Sequence, residues 1–415
     1  MHSPFSIHHS TFARGATRVA ITGVGSINAL GVGVEAFAEG LRTGRCGVGV
    51  LSLFDSTSYR SSCAAEVRDL AVPAWLPPPL ARRASRSDLL ATIAAQEAVA
   101  GARLEGDVSN VGIVVGATTG GMFGSEEQQR RRLRKLPPLR RSVMPATLVS
   151  TSANLLASIF GYYGPRLTVS TACSSGGNAL GIAADWIRSG RARAVVCGGV
   201  DSLCRMTFSG FNALQALDTV PCRPFDRDRA GLSLGEGAAM FVLEDGATAQ
   251  ARGATILAEF LGSGVSADAH HITQPRPDGA GALHAMQRAL HDSGVTPDEI
   301  DYVNAHGTAT PLNDALETRA LKALLGPRAY RVPVSSTKSM VGHCLAAAGA
   351  IEALACVLAL RGGFIPPTVN LQHPDPECDL DYVPNLSRQA SIRTVLSNSY
   401  GFGGNNTSLV LRAWG

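Results

Sequence analysis

Short runs of apolar, β-branched residues alternate along this chain with longer stretches of helical periodicity. Residues 18–22 (RVAIT), 111–116 (VGIVVG), 166–170 (RLTVS), 193–199 (RAVVCGG) and 238–244 (AAMFVLE) read as buried strands. Residues 87–102 and 174–190 carry apolar positions at helical spacing. The same grammar then resumes. A strand is expected across 254–267 and a helix across 281–294, stopped by Gly294. Two strand-to-loop passages follow in IDYVNAHG and VPVSSTK, then a helix in AAAGAIEALACVLALRGG. The strand pair IRTVLSNSYGFGGNNTSLVLRA closes the chain. The pattern predicts an α/β protein of two halves, 16–253 and 254–415, behind a disordered leader at 1–15.

Composition narrows the function. Of 415 residues, 45% are apolar and 17% charged, which supports a large core and excludes global disorder. The net charge of +4 is far below that of a dedicated nucleic-acid binder. Nine cysteines include no CxxC pair, so neither a zinc site nor a disulfide framework is expected, and no metal. A reducing cytoplasm suits that usage. The first residues have no apolar h-region, and the apolar run near 346–360 is interrupted by Glu352, short of a membrane span. No membrane association is expected. The turn GVGSINALG is a poor dinucleotide fingerprint, because Asn28 stands where its third glycine belongs.

Three loops could carry chemistry. In TACSSGGNALG, small residues lead from a strand into a helix and place Cys173 at a helix N-terminus. The helix dipole there lowers a thiol pKa and favours a nucleophile. A buried packing cysteine fits the same letters, so the residues alone leave both readings open. His306 in NAHGTATP and His343 in STKSMVGHCLAAAG lie in similar loops after strands, where α/β proteins assemble sites. Lys338, five residues before His343, needs a carboxylate if buried, and Glu317 is the candidate.

Six motifs in one order carry a family resemblance: TACSSG, RPFDRDRAGLSLGEGAA, ADAHHIT, NAHGTATPLNDALE, STKSMVGHCLAAAG and GFGG. Over nearly its whole length the chain resembles an elongating β-ketoacyl-acyl-carrier-protein synthase (type II) or a type II polyketide ketosynthase. Both belong to the thiolase-fold superfamily. The resemblance implies two pseudo-repeated α/β halves in αβαβα layers, and a decarboxylating condensation of acyl-carrier protein with malonyl-carrier protein. It makes Cys173 the acyl-accepting nucleophile. His306 and His343 polarise the malonyl thioester, and Lys338 and Glu317 support them. Phe402 becomes a gate whose N–H joins that of Cys173 in an oxyanion hole. Thr273, Thr308 and Thr310 would meet the phosphopantetheine arm. No cofactor of its own is implied, since substrates ride on the carrier's phosphopantetheine. The implied partners are the carrier protein and a second ketosynthase-like subunit, in a homodimer or heterodimer. Intact Cys173 argues against a non-condensing chain-length-factor-like subunit, and the two histidines against a CoA-dependent thiolase-like acyltransferase.

Some letters depart from the family pattern. The segment 216–226 is short, the last motif reads GGNN where GGTN or GGHN is familiar, and Thr119 replaces a bulkier apolar residue at the acyl pocket. These departures point to a polyketide or polyene pathway over housekeeping fatty-acid elongation. The basic run RRRLRK has two readings: a solvated helix face with Glu126 and Glu127 as i,i+4 partners, or a docking patch for an acidic carrier. The patch would comprise Arg82, Arg83, Arg86, Arg130, Arg131, Arg140 and Arg141.

Overall fold

The computed structural model describes residues 17–104, 108–140 and 146–415. The leader at 1–15 and Arg141 lie outside them. Ten strands form one continuous path: β1 (Val19–Asn28), β2 (Val111–Gly116), β3 (Arg166–Val169), β4 (Ala194–Asp201), β5 (Gly237–Asp245), β6 (Ala258–Ala267), β7 (Tyr302–Asn304), β8 (Val334–Ser335), β9 (Thr394–Gly401) and β10 (Asn405–Arg412). Their order is β8-β7-β9-β10-β6-β1-β5-β4-β2-β3, and a short strand, Gly31–Val32, pairs with β1 off this path.

The order contains a repeat. From the middle outward, the first half runs β1-β5-β4-β2-β3 and the second β6-β10-β9-β7-β8. Directions repeat as well. The β2–β3 and β2–β4 pairs are parallel, as are β7–β8 and β7–β9. The remaining pairs within each half are antiparallel. The halves join where Val19 pairs with Phe260 and Ile21 with Ala258.

Six helices follow the same repeat: α1 (Arg86–Ala102), α2 (Thr151–Phe160), α3 (Ser175–Arg188), α4 (Ala280–Ser293), α5 (Pro311–Leu325) and α6 (Ala348–Gly362). Helices α1 and α2 cover one outer face, α4 and α5 the other, and α3 and α6 fill the middle. This is the αβαβα arrangement. Ser85 starts α1 with a reciprocal capping box to Asp88, and Gly294 ends α4 in the left-handed conformation.

The central layer explains two sequence features. By length and composition Leu345–Gly362 could cross a membrane, yet 83% of it is buried inside the protein. Apart from Glu352 and Arg361, helix α6 is apolar on every side because protein surrounds it. The helices α3 and α6 also meet backbone to backbone. A Cβ on Gly176 would lie 3.0 Å from the Ala350 nitrogen, and one on Gly349 would lie 2.9 Å from the Gly177 nitrogen. Only small residues permit that approach, hence SSGG in one helix and AAAG at the start of the other.

Candidate active site

Loops at the carboxyl ends of the strands converge on one cavity of about 430 Å³. Cys173 arrives after β3, His306 after β7, His343 after β8 and Phe402 after β9. Thr273, Thr308 and Thr310 line the same cavity, and the hydroxyls of Thr308 and Thr310 are 2.9 Å apart. Strained backbone marks these loops: Ala172 (φ 52°), Ala309 (φ 65°) and Leu345 (φ 51°) all occupy the left-handed region. Such conformations persist where surrounding packing dictates them.

The tutors of the two imidazoles are their Nδ1 partners. Lys338 Nζ lies 3.1 Å from His306 Nδ1, and the Leu345 N–H donates to His343 Nδ1 at 3.0 Å. An Nδ1 that accepts leaves Nε2 carrying the proton of a neutral ring. Burial holds His306 well below the ordinary histidine range, aided by the positive Lys338 and then by His343. Burial and Lys338 do the same to His343. With ring centroids 5.5 Å apart, the site offers two neutral N–H donors.

The Cys173 thiol is framed by backbone. The Phe402 N–H faces the Cys173 thiol, and a Cβ on Gly401 would lie 3.0 Å from the Cys173 nitrogen. The glycine lets two N–H groups share one small space. The Phe402 ring stacks on Phe211 at 5.4 Å. Two fixed backbone donors beside a thiol suit a tetrahedral oxyanion.

The regions described as "Beta-ketoacyl synthase, N-terminal domain" and "Beta-ketoacyl synthase, C-terminal domain" match residues 16–249 and 257–372. The chain belongs to the β-ketoacyl synthase family. It is 41% identical over 408 residues to 3-oxoacyl-[acyl-carrier-protein] synthase 2 of Synechocystis sp., covering 96% of this chain and 98% of that one. Among solved structures it resembles the ishigamide ketosynthase/chain length factor. That match has a TM-score of 0.91 and 37% identity, over 96% of this chain and 100% of the other. A second likeness is to a type II polyketide acyl-carrier protein in complex with its ketosynthase bound to the hexaketide. Its TM-score is 0.88 and its identity 32%, over 96% and 100% of the two chains. This β-ketoacyl synthase is therefore an acyl-transferring condensing enzyme.

Several expectations need correction. Lys338 pairs with Glu352, not with Glu317: both side chains are 2% exposed and their ion pair is buried. Glu352 lies on α6, directly behind the site, and also accepts from Ser399 Oγ at 3.2 Å. Glu317, on α5, accepts the N–H groups of His306 and Gly307, each at 2.9 Å. It holds the histidine loop by its backbone. Burial pushes the Glu317 carboxyl up to about 7 against the pull of those two donors.

The Cys173 thiol is likewise pushed up by burial, to about 11, although Lys338 and the Phe402 N–H oppose the rise. The helix N-terminus does not offset that burial.

Thr119 does not line the cavity. Its hydroxyl donates to Asp201 at 2.8 Å, and that carboxylate also accepts the N–H groups of Thr118, Thr119 and Ala346. The threonine serves a buried anchor between the β2 loop and the turn after His343. Arg86 is no docking residue: its guanidinium clamps the fully buried Glu236, with Nε 2.8 Å from the carboxylate, and donates to the Val67 carbonyl. Arg82, Arg83, Arg130 and Arg140 are exposed. Arg131 pairs with Glu127 at 3.0 Å, as i,i+4 spacing predicts. Glu126 instead accepts from the backbone N–H groups of Arg205 and Met206.

The sequence reading missed Phe211, Asp268 and Tyr400, all in the cavity wall. Asp268 lay within the quoted motif ADAHHIT. Phe211 sits on the unpredicted helix Arg205–Ala213, and nothing local marked it.

Proposed function

We propose that this enzyme carries out a decarboxylating Claisen condensation on carrier-bound thioesters, with the acyl chain passing through Cys173. The Cys173 sulfur attacks acyl-carrier protein while its proton passes to the departing carrier sulfur, which gives a thioester on Cys173 and releases the carrier thiol, the oxyanion being held by the N–H groups of Cys173 and Phe402. Malonyl-carrier protein then loses CO₂. The electron pair of the breaking C–C bond moves into the thioester as an enolate, whose oxygen accepts the Nε2–H groups of His306 and His343. The enolate carbon attacks the acyl carbonyl, expels the Cys173 thiolate and leaves β-ketoacyl-carrier protein, two carbons longer. The observation that carries this reading is the pair of neutral imidazoles, each fixed at Nδ1, facing one cavity with the buried thiol. Thr273, Thr308 and Thr310 are assigned to the phosphopantetheine arm that delivers both substrates.

Exposed Arg82, Arg83, Arg130 and Arg140 are assigned to docking of the acidic carrier. Charge reversal at Arg82 and Arg83 raises KM for acyl-carrier protein and flattens its salt dependence, because rim charges act on association and are screened. The halves 16–253 and 254–415 are read as the nucleophile-bearing and histidine-bearing units. A type II polyketide or polyene pathway is favoured by the short 216–226 segment and the two polyketide-type neighbours, with a second ketosynthase-like chain as partner. All nine cysteines are free thiols, in keeping with the reducing cytoplasm. The test is intact mass after incubation with a panel of acyl-carrier proteins, followed by CO₂ release from malonyl-carrier protein. Acyl adducts on Cys173 and CO₂ release support the reading; adducts from CoA donors alone overturn it.

A further inference from the structure

The loop that brings Phe402 to the nucleophile holds three glycines in four residues, GFGG, with Gly403 at φ 79° and Gly404 at φ 73°. Such a loop has little stiffness of its own, yet an oxyanion donor is useful only if its position is fixed before reaction. Several contacts fix it. On the N-terminal side, Gly401 packs against the Cys173 nitrogen, as described above. The Gly403 N–H donates to the Ile272 carbonyl at 2.8 Å, and the Asp268 N–H donates to the Gly404 carbonyl at 2.9 Å. Two side chains add ties. Asn406 Nδ2 reaches the Gly404 carbonyl at 3.3 Å. Asn405 Nδ2 donates to the Phe402 carbonyl at 2.9 Å.

Asn405 is also the first asparagine of GGNN, the departure from GGTN and GGHN that no catalytic role has absorbed. We propose that Asn405 is a positioning residue: its carboxamide clasps the Phe402–Gly403 peptide and thereby holds the Phe402 N–H at the thiol and the Phe402 ring on Phe211. Phe402 is then anchored from both flanks, by Gly401 before it and Asn405 after it. A threonine at this place carries its donor one bond closer to the backbone and loses the reach. The inference rests on Phe402 supplying an oxyanion donor during acyl transfer.

The experiment compares wild type with Asn405→Ala, Asn405→Thr, Asn405→Asp and Gly401→Ala. Acylation of Cys173 by acyl-carrier protein and CO₂ release from malonyl-carrier protein are measured on the same samples. Their ratio is independent of the folded fraction. Each Asn405 variant is expected to slow acylation about two- to tenfold, the worth of one side-chain hydrogen bond. Decarboxylation, assigned to the histidines, stays within twofold. Asn405→Asp is decisive, because it keeps the shape and removes the donor. An aspartate variant that acylates like wild type overturns the clasp, as does decarboxylation falling in step with acylation. Gly401→Ala tests the underlying reading separately. Its added Cβ meets the Cys173 nitrogen, so acylation should fall further still. If Gly401→Ala acylates normally, the oxyanion assignment fails; if it is impaired and the Asn405 variants are not, only the clasp fails.

Discussion

The two halves of the molecule share one strand order and one placement of loops, and use them for different chemistry. The loop after β3 carries Cys173, while the passage after its counterpart β8 carries Lys338 and His343. The loop after β7 carries His306. In the first half the matching loop, after β2, carries Thr118 and Thr119, whose hydroxyls serve the buried Asp201 anchor, with the Ser202 N–H also donating to Thr119. The end of β4 supplies that anchoring carboxylate, and the end of β9 supplies the Phe402 N–H. On the proposed mechanism, one half offers a nucleophile and a brace, and the other offers donors. Repetition fixed where groups can be placed; the residues chosen at each place divide the labour.

The sharpest way to break this comparison is to remove each half's contribution separately. Cys173→Ala should abolish acyl-enzyme and condensation while measurable CO₂ release from malonyl-carrier protein survives. His306→Ala or His343→Ala should depress CO₂ release by about 10²–10³, the usual worth of a positioned donor, with acylation of Cys173 less affected. Histidine variants that decarboxylate normally would dissolve the division.

A second test concerns what stands behind the donors. Lys338 and Glu352 form a buried ion pair whose loss of one member leaves an uncompensated charge or an orphaned group. Glu352→Ala should destabilise the fold by about 3–5 kcal/mol, measured by urea unfolding. Glu317→Ala, which strands the N–H groups of His306 and Gly307, should cost about 1–3 kcal/mol per group. With two groups stranded, Glu317→Ala should cost about 2–6 kcal/mol in all, so the two carboxylates should weigh about equally, and a loss under about 1 kcal/mol at either would remove it from the site's support.

Much of this was readable in the letters. Strand runs such as VGIVVG and RAVVCGG are apolar throughout because both faces of the sheet are covered, and β2 and β4 are buried along their whole lengths. Cys173, His306 and His343 stood out by their small-residue loops. Helix α5 did not, because its inward face carries Asn313, Asp314, Glu317 and Thr318, all buried. A helix that serves a site with polar groups has no apolar stripe to read. The partner of Lys338 was missed for a related reason. Glu352 read as the interruption of an apolar run, and only the crossing of α3 and α6 shows that the interruption points at the site. Thr119 and Arg86 failed oppositely: each has a buried carboxylate partner more than 80 residues away in sequence.

The pH dependence sharpens the role of the second half. Protonation would put an N–H on each Nδ1, against Lys338 Nζ at His306 and the Leu345 N–H at His343, so both rings keep their places only when neutral, and burial together with the positive Lys338 keeps them neutral by holding their pKa values down. Activity is thus present above the folded imidazole pKa and lost as pH falls through it. The linked stability has the same sign: a depressed folded pKa contributes stability that is present above about 6.5 and lost on acidification below it. Lys338→Met removes the nearby positive charge, so the acid limb of the CO₂-release profile should move to higher pH. An unmoved limb would mean that Lys338 acts on the histidines by contact alone.

The smallest expected effect lies at the penultimate residue of β4 and β9. In the first half this is Val200, apolar and fully buried; in the second it is Tyr400, 8% exposed, beside His306 at 5.4 Å between ring centroids. The Tyr400 hydroxyl is buried and meets no hydrogen-bond partner among the described residues. Burial raises its pKa well above the ordinary tyrosine value, with Glu317 and Asp268 adding to the rise, so it remains an O–H donor at working pH. An unmet buried donor costs about 1–3 kcal/mol. Tyr400→Phe keeps the ring and removes the oxygen, which makes this strand end as apolar as its counterpart. The variant should gain about 1 kcal/mol, seen as a higher urea midpoint at unchanged m. Because the oxygen touches neither the thiol nor the imidazole nitrogens, acylation and CO₂ release should change less than twofold. A loss of stability would show that the hydroxyl is satisfied in solution, and a fall in either rate would make it a working part of the site.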